Sequence, residues 1–85
     1  MNLSILTPGQ TVFEGEVIAV NSPGTAGKVE VLENHAPLVA SLAKGVIKVT
    51  TPSKEVIKFE TTGGFIEVLS NNASILLESA KQLSE

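Results

Sequence analysis

Apolar and polar side chains alternate residue by residue along most of this 85-residue chain. In VEV, VIKV and GFIEV the apolar residues recur at every second position, which is the spacing of a β-strand with one buried face. The same style continues in LSIL, TVFEG, EVIAVN, LVASLA, EVIKFETT and SILLES. Only the tail, ESAKQLSE, has a trace of helical spacing, and it is too short to form a stable helix alone. The pattern therefore predicts an all-β fold.

Turn-forming residues separate these segments at intervals of about eight to twelve residues. Each of TPGQ, SPGTAG, ENHAP, AKG, TPSK, TGG and SNN contains proline, glycine or asparagine. Proline fixes φ, and glycine or asparagine accepts positive φ, so each group can reverse the chain direction. Short strands at this spacing are typical of an antiparallel sandwich or barrel. In LVASLA, Leu38, Ala40 and Leu42 share one face and Val39 lies on the other, so this strand is either interior or meets a partner.

The composition excludes several classes of protein. There is no cysteine, which excludes disulfides, thiolate metal sites and thiol nucleophiles. The net charge of −3 argues against nucleic-acid binding, which needs a dense basic face. No apolar run approaches the ~20 residues of a spanning helix, and the start of the chain does not resemble a signal peptide. We expect no metal and no cofactor, and a core of aliphatic side chains because aromatic residues make up only 4%.

Catalytic groups are not evident in the sequence. His35 is the only histidine, and the chain has no aspartate and no G-x-S-x-G motif to provide a nucleophile with its base. PGTAGK lacks the full spacing of a phosphate-binding loop and precedes a strand rather than a helix. The nine glutamates are spread along the strands, mostly at positions that alternation directs outward. The residues therefore predict a binding or assembly role.

Two other function classes remain open at this point. A carrier domain of the lipoyl or biotinyl type is also a small all-β module, and it needs a lysine at a tight hairpin tip. Lys54 in TPSK is the nearest candidate, although it lacks the usual flanking residues. A small hydrolase would need a nucleophile beside a positioned base, which the sequence does not show.

Two long segments nevertheless resemble a known family. VFEGEVIAVNSPGTAGKVEVLENHAPLVASLAKGVIKV and TTGGFIEVLSNNASILLESA are similar to the N-terminal domain of the epsilon subunit of F-type ATP synthases, called delta in mitochondria. NHAPL at residues 34–38 and GGFIEV at residues 63–68 are the most specific matches. The F-x-G of residues 13–15, the PG of residues 23–24 and LLESA support them. The resemblance covers nearly the whole chain and implies a flattened antiparallel β-sandwich of two sheets with about ten strands.

The resemblance also implies a function. Members of this family are non-catalytic rotor subunits of the central stalk that bind the gamma subunit and the ring of c subunits. They couple proton-driven rotation of the ring to ATP synthesis, and no nucleic acid or small-molecule substrate is expected. The position implied is peripheral, on the cytoplasmic face of the bacterial inner membrane. Position by position, the c-ring side would contain Gly27 and Lys28, and the gamma side would contain Thr7, His35, Ala36, Pro37 and Leu38.

The chain departs from the family pattern in two places. The usual glycine loop G-E-L-G-I-L-P reads GKVEVLE, with Glu30 at the second glycine, Glu33 at the proline and Lys28 where an acid is common. Family members usually continue into a two-helix C-terminal domain that can inhibit ATP hydrolysis. We therefore expect residues 1–85 to form a single epsilon-type β-sandwich domain with the C-terminal two-helix domain absent.

Overall fold

The computed structural model describes residues 1–83, and the regular structure in this range consists of ten β-strands. The strands are β1 (Asn2–Thr7), β2 (Gln10–Glu16), β3 (Ala19–Gly24), β4 (Gly27–Leu32), β5 (Leu38–Leu42), β6 (Gly45–Thr50), β7 (Val56–Thr61), β8 (Gly64–Leu69), β9 (Asn72–Leu77) and β10 (Ala80–Leu83). They follow the predicted segments closely. The segment EVIAVN, residues 16–21, is divided between two strands. β2 ends at its first residue, Glu16, and β3 begins at Ala19.

The trace of helical spacing in the tail does not lead to a helix. Residues 80–83 form β10, which pairs with β7 in an antiparallel ladder. Four residues are too few for a stable helix, but they can exchange backbone hydrogen bonds with the open edge of an existing sheet. Ser84 and Glu85, the last residues of that segment, lie outside the described residues.

The strands form two layers. Hydrogen bonding follows the order β10-β7-β6-β3-β5-β8-β9-β1-β2, and β4 pairs with β3. The first layer contains β4, β3, β6, β7 and β10, and the second contains β5, β8, β9, β1 and β2. They meet through the short pairing of β3 with β5, where Gly24 lies opposite Leu42. The predicted all-β sandwich of about ten strands is confirmed, with one parallel pair, β1 with β9, among otherwise antiparallel ladders.

An aliphatic core fills the space between the layers, as the composition predicts. Val20 and Ile47 from the first layer and Ile5 and Ile66 from the second have no exposed surface. Burying each such side chain contributes about 1.5–3 kcal/mol. Phe13 of β2 and Phe59 of β7 pack edge to face with ring centroids 6.1 Å apart, and so connect the two layers.

Positive φ angles occur in the predicted turns. Gly9, Asn34 and Asn71 have φ of 77°, 62° and 61°, in TPGQ, ENHAP and SNN respectively. Glycine and asparagine tolerate this region better than other residues, so the turn residues and the turn geometry agree. These turns position the segments that carry the predicted contact residues.

Candidate functional site

His35 lies half-buried in the turn between β4 and β5. Its backbone N–H donates to the Leu32 carbonyl at 3.2 Å, and its ring Nδ1 donates to the Ala36 carbonyl at 2.7 Å. A carbonyl oxygen can only accept, so the second bond places a proton on Nδ1. Among residues 1–83, no hydroxyl or carboxylate is hydrogen-bonded to the ring. His35 is therefore built into its turn and is not part of a catalytic pair.

The histidine turn is fixed to the second layer. The Asn34 N–H donates to Asn71 Oδ1 at 2.8 Å, which ties this turn to the turn between β8 and β9. Ala36 and Pro37 are exposed. Leu38 is half-buried and packs against the core, so less of its side chain is available to a partner. The structure thus brings four of the five predicted gamma-side residues, those at positions 35–38, into one turn.

Thr7, the fifth predicted gamma-side residue, lies at the other end of the second layer. It ends β1, opposite Gln10, whereas Asn2 at the start of β1 pairs with Asn72 near the histidine turn. Five strand residues at about 3.3 Å each separate these ends by roughly 16 Å. The sequence places Thr7 beside a turn, but it could not show how far that turn lies from His35. The distance depends on which strands pair with β1.

Gly27 and Lys28 begin β4 and are both exposed. The pairing of Gly24 with Gly27 closes their hairpin, and Gly24 also pairs with Leu42 of the second layer. Leu42 lies opposite Gly64 of β8, which lies opposite the last residue of β9, and the end of β9 pairs with the end of β1. This hairpin therefore lies at the Thr7 end of the molecule. The predicted c-ring side is therefore far from the histidine turn.

An apolar patch that the sequence analysis did not assign occupies part of the outer face of the second layer, beside polar residues such as Glu67. Phe65 lies opposite Leu76, and Leu76 lies opposite Leu6, so apolar side chains form a row across β8, β9 and β1. Val39 is 72% exposed and Phe65 59% exposed on this face. We call this the apolar face: Leu6, Val39, Phe65, Leu69 and Leu76. The signal in the sequence was that β5 and β8 carry apolar residues at both parities, which a strand with one face exposed to water does not need.

The amine of Met1 is held between two carboxylates. It donates to Glu16 Oε2 and Glu33 Oε2, both at 3.2 Å, and to the Val17 carbonyl at 3.1 Å. Burial of the amine by itself would lower its pKa, but the hydrogen bonds and negative charges of Glu33 and Glu16 outweigh that effect. The pKa of the amine is therefore raised above its ordinary value of 8.0. The contact joins the start of β1 to the end of β2 and to the turn that contains His35.

Because of this contact, the stability of the chain should decrease at alkaline pH. A group whose pKa is raised in the folded state stabilises the fold fully at pH values below its unfolded pKa, which is 8.0 for this amine. That contribution is lost as the pH rises through the pKa of the folded state. We expect the free energy of unfolding to fall above about pH 8, by about 1 kcal/mol or less for this contact, because both carboxylates are exposed and solvent screens them. Urea denaturation at neutral and alkaline pH measures it.

The control for that prediction is the double variant Glu16→Gln, Glu33→Gln. Lysines also titrate at alkaline pH, so the relevant quantity is the difference between the two proteins. The double variant should be less stable at neutral pH and should converge with the parent chain as the amine loses its proton. Parallel curves across the whole range would contradict the prediction.

Residues 1–83 contain no group of three or more histidine, aspartate or glutamate side chains that could hold a metal ion. Within the same range, no helix has the length and hydropathy needed to cross a bilayer.

The comparisons with known proteins decide the family. Residues 1–83 match the family model described as "ATP synthase, Delta/Epsilon chain, beta-sandwich domain". The chain belongs to this family. The resemblance seen in NHAPL and GGFIEV is therefore confirmed, and the family is one of ATP synthase subunits. Lys54 does lie exposed in a turn, with φ of 71°, but the family match favours a subunit of this kind over a carrier domain.

Individual relatives agree with the family model. The ATP synthase epsilon chain of Pelotomaculum thermopropionicum is 40% identical over 83 residues, which are 98% of this chain and 61% of that protein. The epsilon chain of Chlorobium limicola is 40% identical over 76 residues, which are 89% and 86% of the two chains. This delta/epsilon-family chain thus spans about three-fifths of the length of the first relative and most of the second.

A solved structure supports the fold. A chain in the mitochondrial ATP synthase of Euglena gracilis, resolved with OSCP, F1 and c-ring, superposes with a TM-score of 0.89. It is 23% identical and is covered to 51% of its length, while 94% of the present chain is covered. At this identity the match shows only that the two chains share a fold.

Proposed function

We propose that this chain is a rotor part of the central stalk of an F-type ATP synthase, where it binds the gamma subunit and the c-ring. It transmits torque between proton-driven rotation of the ring and the catalytic head, and is itself non-catalytic. The observation that carries this proposal is the family match over residues 1–83. The complex would hold the chain peripherally at the cytoplasmic face of the bacterial inner membrane.

The apolar face is the proposed gamma-binding surface. Exposed aliphatic and aromatic side chains on one sheet face mark interaction sites in soluble proteins. Thr7 lies at one end of this layer and the histidine turn at the other, so both borders of the face carry residues that the family resemblance assigns to gamma. The two parts of that assignment are separated in space, but a partner that covers the face would contact both.

Gly27 and Lys28 form the proposed c-ring contact. They lie in an exposed hairpin of the first layer, at the Thr7 end and away from the histidine turn. A torque-bearing part needs separate attachment sites on one stiff body, and two closely packed sheet layers provide such stiffness. A stable interface buries about 800 Å² on each partner, so two of them would use about a third of the 5014 Å² surface of the chain.

Reconstitution tests this proposal. The chain is mixed with gamma and with detergent-solubilised c-ring from the same source, singly and together, and the products are separated by size-exclusion chromatography. We expect a complex with gamma and a larger assembly when both partners are present. A chain that elutes alone in every mixture, although circular dichroism shows it to be folded, would contradict the rotor role.

A further inference from the structure

The outer face of the first layer is basic although the chain as a whole is acidic. Registers and exposure place on it four of the six lysines and two glutamates, Glu30 and Glu60. The lysines are Lys28, Lys48, Lys58 and Lys81. The face thus has an excess of two positive charges in a chain with a net charge of −3. Such a separation of charge favours an anionic partner at this face.

Two of these lysines oppose each other directly. Lys48 of β6 lies opposite Lys58 of β7, and on its other side it lies opposite the neutral Asn21 of β3. Like charges in directly opposed positions of an antiparallel pair destabilise the sheet. Asn21 cannot neutralise Lys48, so a bound anion would relieve a repulsion that the strand pairing creates.

A cleft opens beside Lys48. The pairing of β3 with β6 ends at Asn21 and Lys48, and beyond this point the two strands separate. The cleft has a volume of about 320 Å³ and is open to solvent. Its lining consists of Asn21, Ser22, Pro23, Lys28, Val46 and Lys48. It is thus near the lower end of the size range of small-molecule sites, about 300–1,000 Å³.

We infer that this cleft binds a phosphate ester. The ammonium groups of Lys28 and Lys48 pair with the phosphate oxygens, and the Asn21 amide provides a neutral hydrogen bond. Lysine binds phosphate as a point charge on a flexible stem. Pro23 and Val46 give the cleft an apolar wall that accommodates a small organic group beside the phosphate.

This site does not depend on the rotor role, because it needs neither gamma nor the ring. Lys28 belongs to both proposals, but Lys48 and Asn21 belong only to the cleft. The test therefore uses the isolated 85-residue chain. Glycerol 3-phosphate and inorganic phosphate are titrated into ¹⁵N-labelled chain, and the backbone amide shifts of residues 21, 22, 28, 46 and 48 are followed.

We expect saturable shifts at these positions, and tighter binding of glycerol 3-phosphate than of inorganic phosphate. Lys48→Gln should weaken binding at least about tenfold, the loss expected for one charge-assisted hydrogen bond. The matched control Lys54→Gln removes the same charge from a turn outside the cleft and should change binding less than about twofold.

The source of the phosphate is distinguished by a second arm. Sedimentation with phosphatidylglycerol vesicles, diluted in phosphatidylcholine, reports binding to a lipid headgroup, and glycerol 3-phosphate is added as a competitor. Sedimentation that Lys48→Gln abolishes and Lys54→Gln preserves assigns the site to a lipid. Binding of the soluble ester without sedimentation assigns it to a free metabolite. The absence of saturable shifts with either phosphate, or equal losses in the two lysine variants, would overturn the site.

Discussion

Replacing Gly64 by alanine should destabilise the chain by about 3 kcal/mol and lower the melting temperature by about 12 °C or more. A Cβ at this position would lie 2.0 Å from the Leu76 carbonyl oxygen and 2.9 Å from the Cα of Leu77. Both are backbone atoms of the neighbouring strand β9, so they cannot move aside as a flexible side chain can. The two strands would have to separate where Gly64 lies between Leu42 and Leu77. Thermal and urea denaturation measure the loss.

Gly15→Ala is the matched control for this prediction. Gly15 also lies within a strand and is also half-buried, but a Cβ there would meet only the Phe13 ring, at 3.8 Å. That is ordinary van der Waals contact, so the stability should change by less than about 0.5 kcal/mol. If both variants lost the same stability, the cause would be the general effect of replacing a strand glycine, and the steric argument for Gly64 would be wrong. The size of the effect matters because a chain of this length has a total stability of only about 4–13 kcal/mol.

The strands could be predicted from the sequence because their signal is local. In β6, Ile47 and Val49 are buried while Lys48 between them is exposed, which is the alternation that the sequence shows. The turns were equally local, since Gly9 and Asn34 adopt the positive φ that their residue types tolerate. A strand at a sheet edge is harder to predict, because β10 owes its conformation to β7 and not to its own residues.

Strand pairing could not be predicted in the same way. The parallel pair β1 with β9 joins residues about seventy positions apart, Leu3 with Ala73 for example, and neither segment contains information about the other. Register depends on how whole hydrophobic faces combine, so it appears only when all strands are placed. For this reason the sequence could suggest Thr7 and His35 as contact residues but could not show that they lie at opposite ends of one layer.

The apolar face also could not be predicted from the sequence. Alternation in β8 separates Phe65 from Ile66, but both are apolar, so the pattern alone does not tell which face is buried. The structure shows that Ile66 is in the core and Phe65 is 59% exposed. Apolar residues on both faces of a strand mean either that both faces are buried within the protein or that one face contacts a partner. β8 is of the second kind if the proposed gamma surface is correct.

If the proposed gamma surface is correct, replacing Phe65 by glutamate should weaken binding to gamma at least about thirtyfold while leaving the fold intact. Aromatic side chains at the centre of an interface commonly contribute 2 kcal/mol or more, and a buried unpaired carboxylate adds a further penalty. Phe65 lies opposite Leu76 on the solvent side of the sheet, so the lost cross-strand contact should cost the isolated chain about 1 kcal/mol or less. Isothermal titration calorimetry with gamma, and urea denaturation of the chain alone, measure the two quantities separately.

Val56→Glu provides the control for the position of this surface. Val56 is 42% exposed and lies at the start of β7, on the outer face of the first layer, so the variant introduces the same charge on the opposite side of the sandwich. If gamma covers the apolar face, Val56→Glu should bind within about twofold of the parent chain, because surface charges far from an interface act mainly through a screened field. A variant at Val56 that lost binding as strongly as the variant at Phe65 would mean that gamma binds elsewhere. Undiminished binding by Phe65→Glu would exclude the apolar face directly, and would leave the histidine turn and Thr7 as contacts without a common surface between them.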